Sequence, residues 1–268
     1  LSLLTDNPKA TYSELARQVK TSKEVIRYRI EKLEKEEIIL GYKTILGFKY
    51  WAYKILLQTT GLDELEEKNL LQKIAKHNRT SWVTSCSGHW DIVFGVMARD
   101  PKDFDLQWND LLKDIGKYIQ KYSFSISLGS KHFGLSLIPQ SQKDKKVKER
   151  TTKAIDKKDS LILHSILENA RKKVIDIHKE TKLPVDTIIY RIKKLEQSGV
   201  IRRYRLILNT KKLDFQDYEI FINTKFTKDI SYDFFEFAKS DNRISFAGKL
   251  SGLWNLELTA HVTSSEEL

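Results

Sequence analysis

Over the first fifty residues the apolar positions recur at helical spacing in short runs. Val25, Ile26, Ile30 and Leu33 fall on one stripe and leave Lys23, Glu24, Arg27 and Glu31 on the opposite side, which predicts an amphipathic helix starting after Ser22. The Ser22 hydroxyl is placed to cap a free first-turn N–H. Residues 14–19 predict a shorter helix before it, capped by Ser13, with Lys20 and Thr21 as the turn. Residues 1–4 read as the tail of a helix that Asn7 and Pro8 break. Residues 38–46 are β-prone, and Gly41 marks a turn, so this segment is expected to form a two-stranded wing.

From Tyr50 the period changes from helical to alternating. Residues 50–60 predict a strand, 63–77 a helix, 81–87 and 90–99 a strand pair turning at Gly88 and His89, 103–118 a helix, and 119–128 a strand. The order β-α-β-β-α-β is the ferredoxin-like split motif, one antiparallel sheet with both helices on one face. Its other face is open and needs a partner.

The pattern is then written a second time. YRIEKLE, starting at Tyr28, and YRIKKLE, starting at Tyr190, match at six of seven positions with an offset of 162; the same offset places Asn7 on Asn169, Ile39 on Ile201 and Tyr42 on Tyr204. An offset of 164 places Gly88, Trp90 and Asp91 on Gly252, Trp254 and Asn255. Units this long, present twice, imply two-fold pseudo-symmetry within one chain. The fold class is α+β: a winged helix-turn-helix plus a ferredoxin-like domain, duplicated in tandem. The expected domains are 1–47, 48–138, a basic linker at 139–154, 155–209 and 210–268. Because the second helix 1 is preceded by residues 155–160 and the second sheet stops after three strands, the chain as written is expected to be a fragment at both ends.

Charge sharpens the picture. A net charge of +11 favours a polyanionic partner, nucleic acid before membrane, while 40% hydrophobic residues suffice for real cores. One cysteine excludes an internal disulfide framework, and no run of about 18 apolar residues marks a membrane span, so a soluble cytoplasmic protein is expected. Two short helices joined by a tight turn, the second basic near its start, are suited to major-groove entry. Ser22, Lys23, Arg27 and Tyr28 are the candidate reading residues, with Arg27 for guanine and Lys23 for phosphate. Lys43 on the first wing and Arg202, Arg203 and Arg205 on the second are candidates for backbone contacts. The second third helix carries Val185 and Ile189 where the first has Lys23 and Arg27, so the two units are not expected to read the same half-site. Arg191, the mate of Arg29, is expected to pair structurally.

SELA, then SKEVIRYRIEKLEKEEIILGY, then GHWDIVFGV in the sheet domain resemble the Lrp/AsnC family of transcription regulators over essentially the whole chain, in the tandem form seen in archaea. The resemblance implies binding of double-stranded DNA by paired helix-turn-helix units held apart by dimerised sheet modules. It also implies an amino acid or related effector near the module interface, where Gly88, Trp90, Asp91, Gly252, Trp254 and Asn255 are the candidates. Further self-association is compatible with it. Both open sheet faces are expected to bury against each other within the chain, drawing on Ile55, Leu57, Trp82, Trp90, Phe94, Phe221, Phe246 and Trp254.

No catalytic constellation, cofactor motif or metal site is expected. Cys86 and His89 are three apart, but neither His77 nor His132 completes a zinc set, and Cys86 reads as a buried small hydrophobe. The enzymatic alternative comes from the family itself, since sirohaem decarboxylases share the two-domain layout; His89, His132 and Arg99 are the residues available to a tetrapyrrole carboxylate.

Overall fold

The computed structural model describes residues 1–133, 151, 153–225 and 231–268, so most of the expected linker lies outside the described residues. In the first copy the elements are α1 (Ser2–Asp6), α2 (Tyr12–Gln18), α3 (Lys23–Lys35), β1 (Ile39–Leu46), β2 (Trp51–Thr59), α4 (Glu64–Lys76), β3 (Thr80–Ser85), β4 (Ile92–Ala98), α5 (Pro101–Ile115) and β5 (Ile119–His132). The second copy gives α6 (Lys157–Ile166), α7 (Val174–Thr181), α8 (Val185–Gln197), β6 (Ile201–Leu208), β7 (Gln216–Ile222), α9 (Ser231–Ser240), β8 (Ile244–Gly252) and β9 (Leu256–Val262). They sort into two compact units, Leu1–Lys49 with Gly134–Asp217 and His261–Leu268, and Tyr50–Phe133 with Tyr218–Ala260.

The first unit holds both trihelical bundles. Ser22 caps α3 as expected, accepting from the Val25 N–H at 3.2 Å. For α2 the cap is Thr11 and not Ser13, because Glu14 lies three residues after Thr11 and closes a reciprocal capping box: Glu14 N–H donates to the Thr11 hydroxyl, and Thr11 N–H to the Glu14 carboxylate at 2.7 Å. In the second copy Pro184 opens α8 and Arg191 binds Asp156 and Asp159 at 2.6 and 2.8 Å, tying α8 to the first turn of α6. Arg191 is therefore structural. Where each third helix ends the chain enters the left-handed region, at Gly199 (φ 74°) after α8 and at Glu37 (φ 55°) after α3.

The wing departs from expectation. Gly41 makes no hairpin turn; β1 continues through it, with a register shift between Ile39 and Gly41, and pairs antiparallel with β6 of the other copy, Lys43 opposite Arg205 and Thr44 opposite Tyr204. Tyr42, Thr44, Tyr204 and Leu206 share the ribbon face that packs on the helices, while Lys43, Ile45, Arg203 and Arg205 point the other way by strand alternation. Each bundle core is completed by the other copy: Ala170 and Leu206 join Leu4, Leu15, Ile26 and Ile30, and Leu46 and Phe48 pack against Ile162, Ile177 and Ile188.

The second unit is one seven-stranded sheet in the order β3-β4-β2-β5-β8-β9-β7. The first four strands have the ferredoxin-like order, and β5 pairs with β8 to carry the sheet into the second copy. Tyr53, Ile55, Leu57 and Phe94 meet Leu70, Ile74, Phe104, Trp108 and Leu111 of α4 and α5. The assignment of Ile55, Leu57 and Phe94 to the partner-facing side was thus off by one residue, which in a strand exchanges the faces. The side facing the second copy carries Lys54, Leu56 and Val93, with Leu56, Trp90 and Val93 packed on Phe221.

Candidate nucleic-acid interface

Both ends of the α3 outer face are exposed, with Lys23 in the first turn and Arg27 and Tyr28 one turn on. Arg27 Nε donates to Glu31 at 2.7 Å, and that bond and the attraction of the carboxylate raise the Arg27 pKa. Both partners are more than half exposed, so the pair is easily exchanged for a base or phosphate. On α8 the corresponding positions present exposed Val185, Ile189 and Tyr190. The two helices share an architecture and differ in chemistry.

The wing cations differ in their surroundings. Lys43 pairs with Glu168 at 2.9 Å. Arg203 is half-buried between Arg202 and Arg205, its Nε without a partner among the described residues; burial first, and then the neighbouring guanidiniums, lower its pKa to about 10. It is still cationic at neutral pH. Arg203 and Arg205 lie on the ribbon face opposite the one that packs on the helices, because strand alternation separates them from Tyr204.

Two contacts the sequence reading missed fuse the bundles. Arg171 Nη1 donates to the carbonyls of Pro8 and Ala10 at 3.0 and 2.8 Å, and its guanidinium lies 5.0 Å from the Tyr42 ring. Its repeat mate Lys9 donates to Glu196 and to the Tyr204 hydroxyl, both at 3.3 Å. Each cation therefore reaches the tyrosine–glutamate pair of the opposite copy, Tyr42 with Glu34 and Tyr204 with Glu196. The signal was present in the 162-residue register, which aligns Lys9 with Arg171, Glu34 with Glu196 and Tyr42 with Tyr204.

In the sheet unit the candidate effector residues frame two equivalent turns. The Asp91 carboxylate accepts from Thr59 N–H and the Asn255 side chain from Thr224 N–H, both at 2.7 Å. Gly252 packs so tightly on β5 that an added Cβ would lie 2.8 Å from the Phe124 carbonyl. Trp90 is buried and Trp254 half-buried; both indole N–H groups are buried and have no partner among the described residues, and Phe221 packs on the cluster that holds Trp90 and lies 6.0 Å, centroid to centroid, from the Trp254 ring. Nearby, Lys54 is buried with its ammonium 2.8 Å from Glu219 and bonded to Glu257, surrounded by Trp82, Phe221 and Phe246. Sequence reading missed this triad altogether.

The residues offered for tetrapyrrole binding are not brought together. Gln58 binds the His89 carbonyl and pairs with Lys121, so β5 puts on the order of 30 Å between that point and His132. Arg99 is held by Asp103, whose pKa it lowers to about 2. Among the described residues no group of three or more His, Cys, Asp or Glu side chains is placed to hold a metal. Cys86 is exposed and not buried, its thiol 3.0 Å from the Trp90 carbonyl and its pKa raised to about 11, by partial desolvation first and then by Asp91. Among the described residues no helix is long and apolar enough to cross a membrane.

A family model for winged helix-turn-helix DNA-binding regions matches residues 1–39 and again 155–202. An uncharacterized HTH-type transcriptional regulator of Pyrococcus horikoshii is 29% identical over 117 residues, 42% of this chain and 77% of that protein. The leucine-responsive regulatory protein of Haemophilus influenzae is 36% identical over 74 residues, 28% of this chain and 45% of that one. The crystal structure of the siroheme decarboxylase NirDL superposes with a TM-score of 0.59 at 13% identity, covering 97% of this chain and 78% of that one, a likeness of fold. The chain thus carries a winged helix-turn-helix DNA-binding region twice, and it is similar to HTH-type transcription regulators, the leucine-responsive regulatory protein among them.

Proposed function

We propose that the chain is a cytoplasmic, sequence-selective regulator that binds double-stranded DNA through the first copy's α3, with Arg27 reading a base edge and Lys23 and Ser22 anchoring its N-terminal turn on phosphate. The observation that carries this is the exposed cationic face of α3 set against the apolar face of α8. On this reading α8 adds surface and position but little base recognition. In the sheet unit, the two buried indole N–H groups support an effector bearing a carboxylate, an amino acid or a relative of one, held by Trp90 and Trp254 between the Gly88–Asp91 and Gly252–Asn255 turns.

Selection from a random duplex library, followed by competition binding on the enriched sequence, tests the DNA reading. Arg27→Ala is expected to lose roughly ten- to a hundredfold in specific affinity and to relax sequence preference, whereas Ile189→Ala changes specificity little. Equal loss of specificity from both variants would sink the assignment. A second reading, decarboxylation of a tetrapyrrole, is favoured only by the fold shared with NirDL over 97% of the chain. Titration with an iron tetrapyrrole separates the two, since the regulator reading expects no saturable change in absorbance.

A further inference from the structure

An open cleft of ≈ 750 Å³ lies between α2, α3 and β1 of the first copy and the loop joining α6 to α7 in the second. Tyr12, Lys23, Tyr42, Asn169, Arg171 and Lys173 line it. Its acids are already engaged: Glu34 accepts from the Tyr42 hydroxyl at 2.8 Å and Glu168 pairs with Lys43. Its cations are not balanced in the same way. Lys23 and Lys173 are exposed and have no ion pair among the described residues. Arg171 commits only Nη1 of its guanidinium to the Pro8 and Ala10 carbonyls, so Nε and Nη2 remain as donors. A guanidinium fixed against two tyrosine rings, 5.2 Å from Tyr12 and 5.0 Å from Tyr42, is a preorganised fork for a planar or tetrahedral anion.

The repeat supplies an independent contrast. At the positions of Tyr12, Ser13 and Lys23 the second copy has Val174, Ile175 and Val185, so this part of the polar lining, the Lys23 cation included, belongs to one side of the pseudo-dyad only. We propose that this cleft is a binding site for a small polyanion, carrying phosphate or clustered carboxylate groups, gripped by Arg171, Lys173 and Lys23. The site is separate from the indole-lined turns of the sheet unit. Its effect on DNA rests on the proposed role of Lys23: an anion that engages Lys23 takes it from the phosphate backbone, so ligand and DNA compete.

Calorimetric titration of the whole chain with inorganic pyrophosphate and, separately, with citrate tests the site, and the tighter arm names the ligand chemistry. One saturable site per chain is expected, weakened about tenfold in Lys173→Gln and in Lys23→Gln. Lys173→Gln leaves DNA binding without added anion unchanged but blunts the competition. Neither anion saturating at millimolar concentration, or equal affinity in wild type and both variants, overturns the proposal. Anion binding that persists where no selective DNA binding is found would refute the regulator reading and leave this site standing.

Discussion

Lys54 is the least expected residue in the sheet unit, since an ammonium is seldom buried without being paired. Burial works against its charge, but two carboxylates outweigh that effect and raise its pKa, while burial raises that of Glu257. Removing the cation strands both acids, so Lys54→Met is expected to cost ~3–5 kcal/mol, and Lys54→Met with Glu257→Leu to recover part of the loss. Chemical denaturation of the single and double variants measures this. The cluster also sets a pH dependence. A carboxylic acid whose pKa is raised in the fold holds a proton that the unfolded chain has released. That contribution is whole below the ordinary value of 4.5 and is lost as pH rises through the raised one. The raised Lys54 has the same sign at alkaline pH, stabilising below 10.5 and fading above it. Melting curves from about pH 5 upward are expected to show a decline of at most ~1.4 kcal/mol per unit that Glu257→Gln flattens. Parallel profiles for the two proteins would remove Glu257 from the account.

At the scale of elements, what the sequence made legible were features set by neighbours within a few residues. The α3 and α8 helices, the Ser22 cap and the β-α-β-β-α-β order all rest on local period and capping. What stayed hidden was set across more than a hundred residues. A β-prone segment does not say which strand it will find, and the hairpin expected at Gly41 gives way to pairing of β1 with β6. Nor does an unbroken apolar run reveal its faces. Residues 53–57 are all buried, and only the lysine at their second position hints that 54 and 56 point away from the helices. The β1–β6 junction can be tested where it is tightest. A Cβ at Gly47 would lie 2.1 Å from the Gly199 carbonyl, with backbone on both sides, whereas one at Gly61 meets nothing within 4 Å. Gly47→Ala is therefore expected to cost ~1–3 kcal/mol and Gly61→Ala within about 0.5. Matched urea midpoints for the two variants would mean that the junction yields.

On the scale of the whole molecule, two seams fuse the copies, and they lie in different units. β1 with β6, crossed by Lys9 and Arg171, makes the two helix-turn-helix bundles one body; β5 with β8, backed by Lys54, Glu219 and Glu257, does the same for the sheets. A bundle cut off from its mate would expose a β1 edge and lose Ala170 and Leu206 from its core, so neither copy is expected to stand alone. The linker, in contrast, is not needed to hold the copies together once they have met; it raises their effective concentration. Co-expressing residues 1–133 and 151–268 as separate chains distinguishes a fused fold from a merely tethered one. Co-purification as a one-to-one complex that melts in a single transition, and selects the same DNA as the intact chain, is the expected result. Two fragments that migrate separately, each folded, would mean that the copies are independent domains and that the anion cleft between the bundles exists only by tethering.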